Sequence, residues 1–318
     1  MDPVVVIGAG ISGVAAARAI VAAGHPVVVF DRGRRVGGRM AVRSVDDRPV
    51  DIGASYFTVS DPAFQAAVDD WQSRGLARQW TDTFHVHEDD ELTTKSGPMR
   101  WAAPRGLRSL VEDLAAGLEL RRRAATNVQP GPRVDGQPAS AVVLAMPDPQ
   151  ARRLLDPTLA AEHDELTDPF EPVLALTARW AERFWPDDLD GVFVAGDDAL
   201  AWIADDGRRR GDSAPVLVAH STPGLARRHL ESPDDATAPL LEAVQRVLRI
   251  DDPPTSTHIH RWTFGKPTGT RPARFFLGKA AIGLCGDAWS DKPRVESAYL
   301  SGLAVGRAVS AVLDQRPP

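Results

Sequence analysis

The chain has 318 residues, 43% hydrophobic and 25% charged, with a net charge of −6. This length suffices for a sizeable core in one large domain or two smaller ones, and the acidic balance speaks against nucleic acid or an anionic membrane as partner. Its single cysteine, Cys285, excludes an internal disulfide framework and fits a reducing compartment.

Residues 4–23 are apolar apart from Arg18. No positively charged region precedes them, since Asp2 stands there, so a secretory signal is not expected. No other apolar run approaches the length of a membrane span, and the expected location is the cytoplasm. Residues 4–7 read as a short buried strand, and residues 13–23 as a helix of small side chains closed by Gly24 and His25. Residues 27–30 read as a second buried strand, followed by Asp31. This β-α-β opening occupies about thirty residues, the size of one such unit.

Asp61 and Pro62 open a predicted helix over residues 63–74, with Phe64, Ala67, Val68 and Trp71 on one face. A second helix lies within residues 106–117, where Leu107, Leu110, Val111 and Leu114 recur at helical spacing. The Pro- and Gly-rich stretch 129–140 reads as a turn or loop. Residues 141–145 form a buried strand stopped by Met146-Pro147. From 150 to 262 predicted strands (173–180, 192–195, 216–221) mix with a helix (238–248). A strand at 280–285, a Gly-Asp turn and a long amphipathic helix at 295–313 close the chain, with fraying expected at 315–318. The basic runs at 121–123 and 208–210 read as solvated faces.

The first motif with chemistry is Gly8-Ala9-Gly10-Ile11-Ser12-Gly13, between a strand and a helix. Gly8 permits the tight turn, Gly10 lets the backbone approach a pyrophosphate, and Gly13 lets the helix pack close to the sheet. The helix N-terminus then offers N–H groups to the phosphates. Asp31, eighteen residues beyond Gly13, can accept from ribose hydroxyls. Past it run Arg32, Gly37, Gly38, Arg39 and Met40. The glycine pair lets the backbone fold against a cofactor, and Arg39 can offer a charged fork to the pyrophosphate.

This segment resembles the extended FAD signature of the amine oxidase-like flavoprotein superfamily, in which the acid is usually Glu rather than Asp. Near the other end Gly286-Asp287-Ala288-Trp289 leads to Arg294-Val295-Glu296-Ser297-Ala298-Tyr299, which resembles the second half of the signature. The resemblance implies that Asp287 contacts the ribityl-phosphate portion of FAD. It also implies that the helix bearing Val295, Ser297 and Ala298 points its N-terminus at the pyrimidine side of the flavin. A helix dipole there stabilises the charge of reduced flavin.

The segment 51–58, with Gly53, Ala54 and Tyr56, is similar to its counterpart in renalase-like flavoproteins. So are Ala201-Trp202-Ile203-Ala204, His220-Ser221-Thr222-Pro223 and His260-Arg261-Trp262. The pattern departs at residues 127–140, which look short for a β-meander, and at Asp205-Asp206, where a basic or amide residue is more typical. The resemblance implies an α/β fold: a discontinuous Rossmann-type FAD-binding domain (1–60, 96–149 and 263–318) with an inserted α+β substrate domain (61–95 and 150–262). It further implies an FAD-dependent oxidase of dihydronicotinamide isomers. Hydride would pass to flavin N5, NAD(P)⁺ would be released, and O₂ would reoxidise the flavin to give H₂O₂.

Such chemistry asks for stacking and orientation, which Trp202, Trp262 and Tyr299 can supply as catalytic-site residues, with Trp289 a further aromatic near the cofactor. Core packing is the expectation for Trp71, Trp80 and Trp180. Oxidation of an amine or another small donor is the alternative, and a non-catalytic FAD-binding redox sensor is a second one. His85-x-His87 and His258-x-His260 each place two imidazoles on one strand face, but no third ligand is predictable and no metal is expected. No Gly-x-Ser-x-Gly elbow is present. Cys285, inside an apolar strand, is expected in the core, although some superfamily members attach flavin to cysteine.

Overall fold

The computed structural model describes residues 2–45 and 47–315, so the fraying expected at 315–318 lies, but for Gln315, outside the described residues. β1 (Val4–Ile7) runs into α1 (Ile11–Ala22), and β2 (Val27–Asp31) returns parallel to β1 with Val4 opposite Val27. A small hairpin, β3 (Val42–Val45) and β4 (Arg48–Asp51), precedes α2 (Pro62–Ser73), whose first turn is capped by the Asp61 carboxylate accepting from the Ala63 N–H. The long hairpin of β5 (Arg78–Glu88) and β6 (Glu91–Ala102) leads to α3 (Arg108–Ala115) and β7 (Glu119–Arg122). β8 (Val128–Gln129), β9 (Arg133–Val134) and β10 (Gln137–Pro138) form an antiparallel meander before β11 (Val142–Leu144).

Two short helices follow, α4 (Asp148–Arg152) and α5 (Ala160–Glu165). Then come β12 (Phe170–Arg179), β13 (Gly191–Val194), β14 (Leu200–Asp205), α6 (Asp206–Arg210), β15 (Val216–Ser221), α7 (Pro223–Arg228) and α8 (Thr237–Leu248). The chain ends with β16 (Ser256–Pro267), β17 (Phe276–Leu277), β18 (Ile282–Leu284) and α9 (Val295–Asp314).

The first sheet has the order β17-β18-β11-β1-β2-β7 and is parallel except at β17. Its central strands are continuous apolar runs because both faces are covered. Val4, Val6, Val27 and Val29 face the core shared with α1, α2, α3 and α9, while Val5, Ile7, Val28 and Phe30 face the meander and the segment around α4 and α5. α9 lies on α1 by means of two glycines. A Cβ at Gly302 would sit 1.9 Å from the Ser12 carbonyl oxygen, and one at Gly306 would sit 2.6 Å from that of Ala16.

The second sheet, ordered β16-β12-β15-β14-β13-β5-β6, is antiparallel except between β13 and β5. Leu174, Leu176, Leu217, Ala219 and Ile203 bury one face under α8. On the other face Val216 and Val218 meet Val45, Val50 and Ile52 of the first hairpin.

Four details depart from the sequence reading. Residues 129–140 are a meander, not a loop, because strands of two residues carry no readable periodicity. β6 runs through the expected boundary at 95/96, and β16 runs past 262. Phe64, Val68 and Trp71 of α2 join the core beneath α1 and α9 rather than the second sheet. Finally, Arg209 and Arg210 are buried, not solvated, because each meets a buried carboxylate. In the other basic run Arg121 and Arg122 are exposed, and Arg123 lies over the Phe30 ring.

Candidate active site

Gly8 has φ +109°, and a Cβ there would lie 2.4 Å from the Ala145 carbonyl oxygen. At Gly13 it would meet the Gly8 oxygen at 1.9 Å. Both positions therefore exclude a side chain. Gly10 differs: among the described residues only the Cα of Gly38 comes near its Cβ position, at 4.0 Å. Gly10 also bridges Gly37, so two glycine turns face each other with no side chain between them. This gap beside the uncapped first turn of α1, where Ile11 and Ser12 begin the helix, is the cradle a pyrophosphate needs.

Asp31 does more than wait for a ribose. Its Oδ2 accepts from the Ala9 N–H at 2.7 Å and its Oδ1 from the Gly33 N–H at 2.6 Å, so it ties the two turns together. Arg32 is exposed, and buried Met40 floors the second turn. Arg39, expected to face the pyrophosphate, instead forks onto Asp287 at 2.9 and 2.5 Å. A partly buried guanidinium beside a carboxylate takes this bidentate geometry because it satisfies both partners at once. The two ends of the signature are thereby joined directly. Gly53 and Ala54 pack on the Arg39 backbone: the Ala54 N–H donates to the Arg39 oxygen at 2.8 Å, and a Cβ at Gly53 would clash with that oxygen.

At the far end Gly286 has φ +154° with open space beyond it, and its N–H donates to Ser301 Oγ at 3.0 Å. Val295, Ser297 and Ala298 form the first turn of α9, which no side chain caps. Ser297 Oγ donates to the Lys292 oxygen, and Ala298 is buried. Glu296 accepts from the Ser60 N–H, the Ser60 hydroxyl and the Asp61 N–H, fixing the loop before α2 against this helix. The open glycine turns and the two uncapped helix starts fit a dinucleotide such as FAD. Cys285 is buried against Ser12, and burial pushes its thiol up to about 12, so it is a core thiol and not a ready nucleophile.

The second sheet supplies the other wall. Trp202 stands opposite His220, His220 opposite Ala175, and Ala175 opposite His260. Directly opposed residues share a face, so these four form one row across four strands. Trp262 lies one step along the same face, its ring 4.5 Å from that of His260. The segment 51–57 crosses in front of them. Trp262 Nε1 donates to the Ile52 oxygen at 2.8 Å, and Trp202 Nε1 donates to Ser55 Oγ at 2.9 Å. Tyr56 packs among Phe84, Trp202 and Trp80, at 5.3, 5.9 and 6.3 Å between ring centres.

The titratable groups of this wall are held neutral. Burial, helped by Arg209, pushes His220 down to about 4, and its Nε2 has no partner. Burial and Arg43 lower His260. Burial raises Tyr56 against the opposing pull of Arg100 and Arg294.

The sequence expected Trp202, Trp262 and Tyr299 together. The structure brings the two tryptophans to one face, whereas Tyr299 packs on Phe64 at 5.2 Å and touches neither ring. Trp289 is buried under the Arg271 guanidinium. Trp71 and Trp180 are core residues, and Trp80 donates to Asp190. His220 and His260 were not singled out for the site. The signal available was strand alternation, which puts His260 on the face of Trp262.

Beneath the segment 51–57 lies a buried ionic cluster. Arg209 donates to the carbonyl oxygens of Ser55 (3.0 Å) and Asp51 (3.2 Å) and pairs with Asp206. Arg210 bridges Asp206 and Asp51, each at 2.9 Å, and Arg48 completes the ring of cations around Asp206. Burial alone would raise Asp206, but Arg209, Arg210 and Arg48 outweigh it and hold the carboxyl well below the usual range. Asp205 takes Arg183 and the Trp185 Nε1–H. The acidic pair that departs from the family pattern is thus part of the framework. No group of three or more His, Cys, Asp or Glu that could hold a metal occurs among the described residues.

A parallel nucleotide-binding sheet completed by the last strand and helix, facing an aromatic sheet wall, defines a flavoprotein oxidoreductase of the two-sheet kind. Residues 6–71 match the family model of the NAD(P)-binding Rossmann-like domain, and residues 69–310 match that of flavin containing amine oxidoreductase. The chain belongs to the flavin-containing amine oxidoreductase family, and is accordingly an enzyme whose cofactor is FAD.

Among curated relatives, the putrescine oxidase of Kocuria rosea is 42% identical over 67 residues, 21% of this chain and 14% of that enzyme. A 4,4′-diapophytoene desaturase of Staphylococcus haemolyticus is 40% identical over 58 residues, 18% of this chain and 12% of the relative. Sequence likeness thus spans only about a seventh of these relatives' length. Among solved structures, cyclohexylamine oxidase from Brevibacterium oxydans superposes with a TM-score of 0.77 at 14% identity, covering 99% of this chain and 100% of that one. Putrescine oxidase bound to putrescine superposes with a TM-score of 0.70 at 18% identity, covering 99% of each chain. These likenesses establish the fold. No helix among the described residues is long and apolar enough to cross a membrane.

Proposed function

We propose that the protein is an FAD-dependent oxidase of a small organic donor, such as an amine taken in its neutral form, with the donor seated between the flavin and the Trp202–His260 row. The observation that carries this reading is the row itself: Trp202, His220, Ala175 and His260 on one sheet face, flanked by Trp262. When bound, FAD supplies a two-electron acceptor that O₂ regenerates with release of H₂O₂. The protein's part is orientation. Trp202 and Trp262 are fixed at their indole N–H groups by Ser55 and Ile52, so their rings are preorganised walls. The small, buried side chain of Ala175 separates the two imidazoles in the row. Neutral His220 and His260 can each present one donor and one acceptor to a polar group on the donor.

A second reading, oxidation of dihydronicotinamide isomers to NAD(P)⁺, is supported by charge. The charges acting on His220, His260 and Tyr56 are the guanidiniums of Arg209, Arg43, Arg100 and Arg294. Such surroundings disfavour an ammonium ion and suit a neutral or phosphate-bearing donor. Anaerobic rapid mixing of the holoenzyme with a panel of primary and secondary amines, and separately with 2- and 6-dihydroNAD(P), tests both. Bleaching of the flavin band by amines alone supports the first reading, and bleaching by the nicotinamide isomers alone replaces it with the second. Bleaching by neither class removes both.

A further inference from the structure

With the Arg39 fork taken by Asp287, the glycine cradle needs another cation for the phosphates. Arg108, the first residue of α3, stands beside it. Its side chain lies against Gly37, whose Cβ position is 3.1 Å from Arg108 Cγ and 3.6 Å from Arg108 Nε. A Cβ at 37 would crowd this stem, and the φ of +125° there favours glycine. Gly37 in turn bridges Gly10, the residue whose missing Cβ opens the cradle.

Arg108 Nε is buried and has no hydrogen-bond partner among the described residues. A buried guanidinium donor without an acceptor is costly and calls for a ligand. The neighbouring charges do not supply one. Arg35 repels Arg108, while Glu112 and Asp51 act on it only from a distance, and Asp51 is already engaged by Arg210 and the Leu107 N–H. Arg35 is exposed on the second glycine turn. Two cations are thus held near each other against their own repulsion, an arrangement that a dianionic group relieves.

We propose that Arg108, with Arg35 beside it, is the clamp for the pyrophosphate of FAD in this chain. The inference rests on the flavin assignment and adds a residue that the signature motif does not contain. It also gives Arg39 a different duty, as the strut that joins the second glycine turn to Asp287.

The test is flavin retention and binding, not turnover. FAD release from the holoenzyme is followed by flavin fluorescence, and the dissociation constant is measured for wild type, Arg108→Gln and Arg108→Lys at two salt concentrations. Arg108→Gln is expected to weaken FAD binding by about 10- to 100-fold, the effect of losing a hydrogen bond to a charged group, with Arg108→Lys in between. The salt dependence of the affinity falls in Arg108→Gln because one charge pair is gone. Binding of ADP, which carries the pyrophosphate and adenosine without the flavin, weakens in parallel, whereas riboflavin binding does not change. The thermal midpoint of the flavin-free protein is little changed, since Arg108 Nε has no hydrogen bond to lose among the described residues. An FAD dissociation constant within twofold of wild type overturns the proposal, as does a loss seen with riboflavin rather than ADP. A wild-type protein that retains no FAD overturns the flavin assignment itself, a separate failure.

Discussion

Replacing Gly302 with alanine tests the helix contact on which the cofactor fold closes. The new Cβ would lie 1.9 Å from the Ser12 carbonyl oxygen, 2.7 Å from its carbon and 2.9 Å from its Cα. All three neighbours are backbone, so no side-chain rotation gives relief. Bringing the shortest contact to 3.0 Å requires α9 and α1 to part by about 1 Å. Overpacking of this kind costs about 1–3 kcal/mol, and the rigid neighbour puts this case at the upper end. For a chain of this size that is a fall in Tm of roughly 4–5 °C. Because α9 also carries Ser301, which holds the Gly286 turn proposed for FAD, FAD content should fall with it. Thermal denaturation followed by circular dichroism, with the flavin-to-protein absorbance ratio of the purified variant, measures both. A Gly302→Ala protein melting within 1 °C of wild type with full FAD content would refute the account of how α1 and α9 meet.

The low pKa of His220 has a stability consequence. Its folded value of about 4 lies below the usual 6.5, so its contribution is fully present above pH 6.5 and is lost as pH falls toward 4, amounting to about 3 kcal/mol. Urea titrations of wild type and His220→Gln at pH 7.5 and 4.5 should show a smaller acid loss in the variant, and equal losses would contradict the assignment. Asp206→Asn leaves Arg48, Arg209 and Arg210 facing a neutral amide and should cost about 3–5 kcal/mol in the same assay. A cost below about 1 kcal/mol would mean the cluster is not structural. Gly10→Val places a branched Cβ in the cradle opposite Gly38 and should abolish FAD binding while the chain still folds; stoichiometric FAD in the purified variant would count against the cradle.

Much of the nucleotide half was legible because its rules are local. The glycine spacing after a β-branched run, and the acid after the second run, each follow from backbone sterics and need no knowledge of distant residues. The helix at 295–313 was equally readable from its apolar period. The second sheet was harder. Its wall is defined by which residue of β12 lies opposite which of β15 and β16, and register between strands 40 to 90 residues apart is not encoded in either strand alone. His220 and His260 became neighbours in a row only through Ala175. The basic run at 208–210 misled for a related reason. An arginine triplet looks solvated until Asp51, far away in sequence, is seen to supply the counter-charge. Arg39 was assigned a ligand by motif, but its partner in the fold is a carboxylate 248 residues away.

The place of β18 beside β11 in the first sheet, and of α9 on α1, sets a problem of timing during synthesis. β1 and α1 leave the ribosome long before α9, whose glycine-bearing face covers α1 from about 290 residues further along the chain. At 5–20 residues per second the wait is on the order of 10–50 s. Throughout it, Val14, Ala17 and Ile20 lack part of the cover they have in the finished fold. The nascent chain therefore exposes an apolar patch early and covers it late. Lost translation of only the final helix would be expected to send the whole protein to degradation rather than yield a partly active fragment.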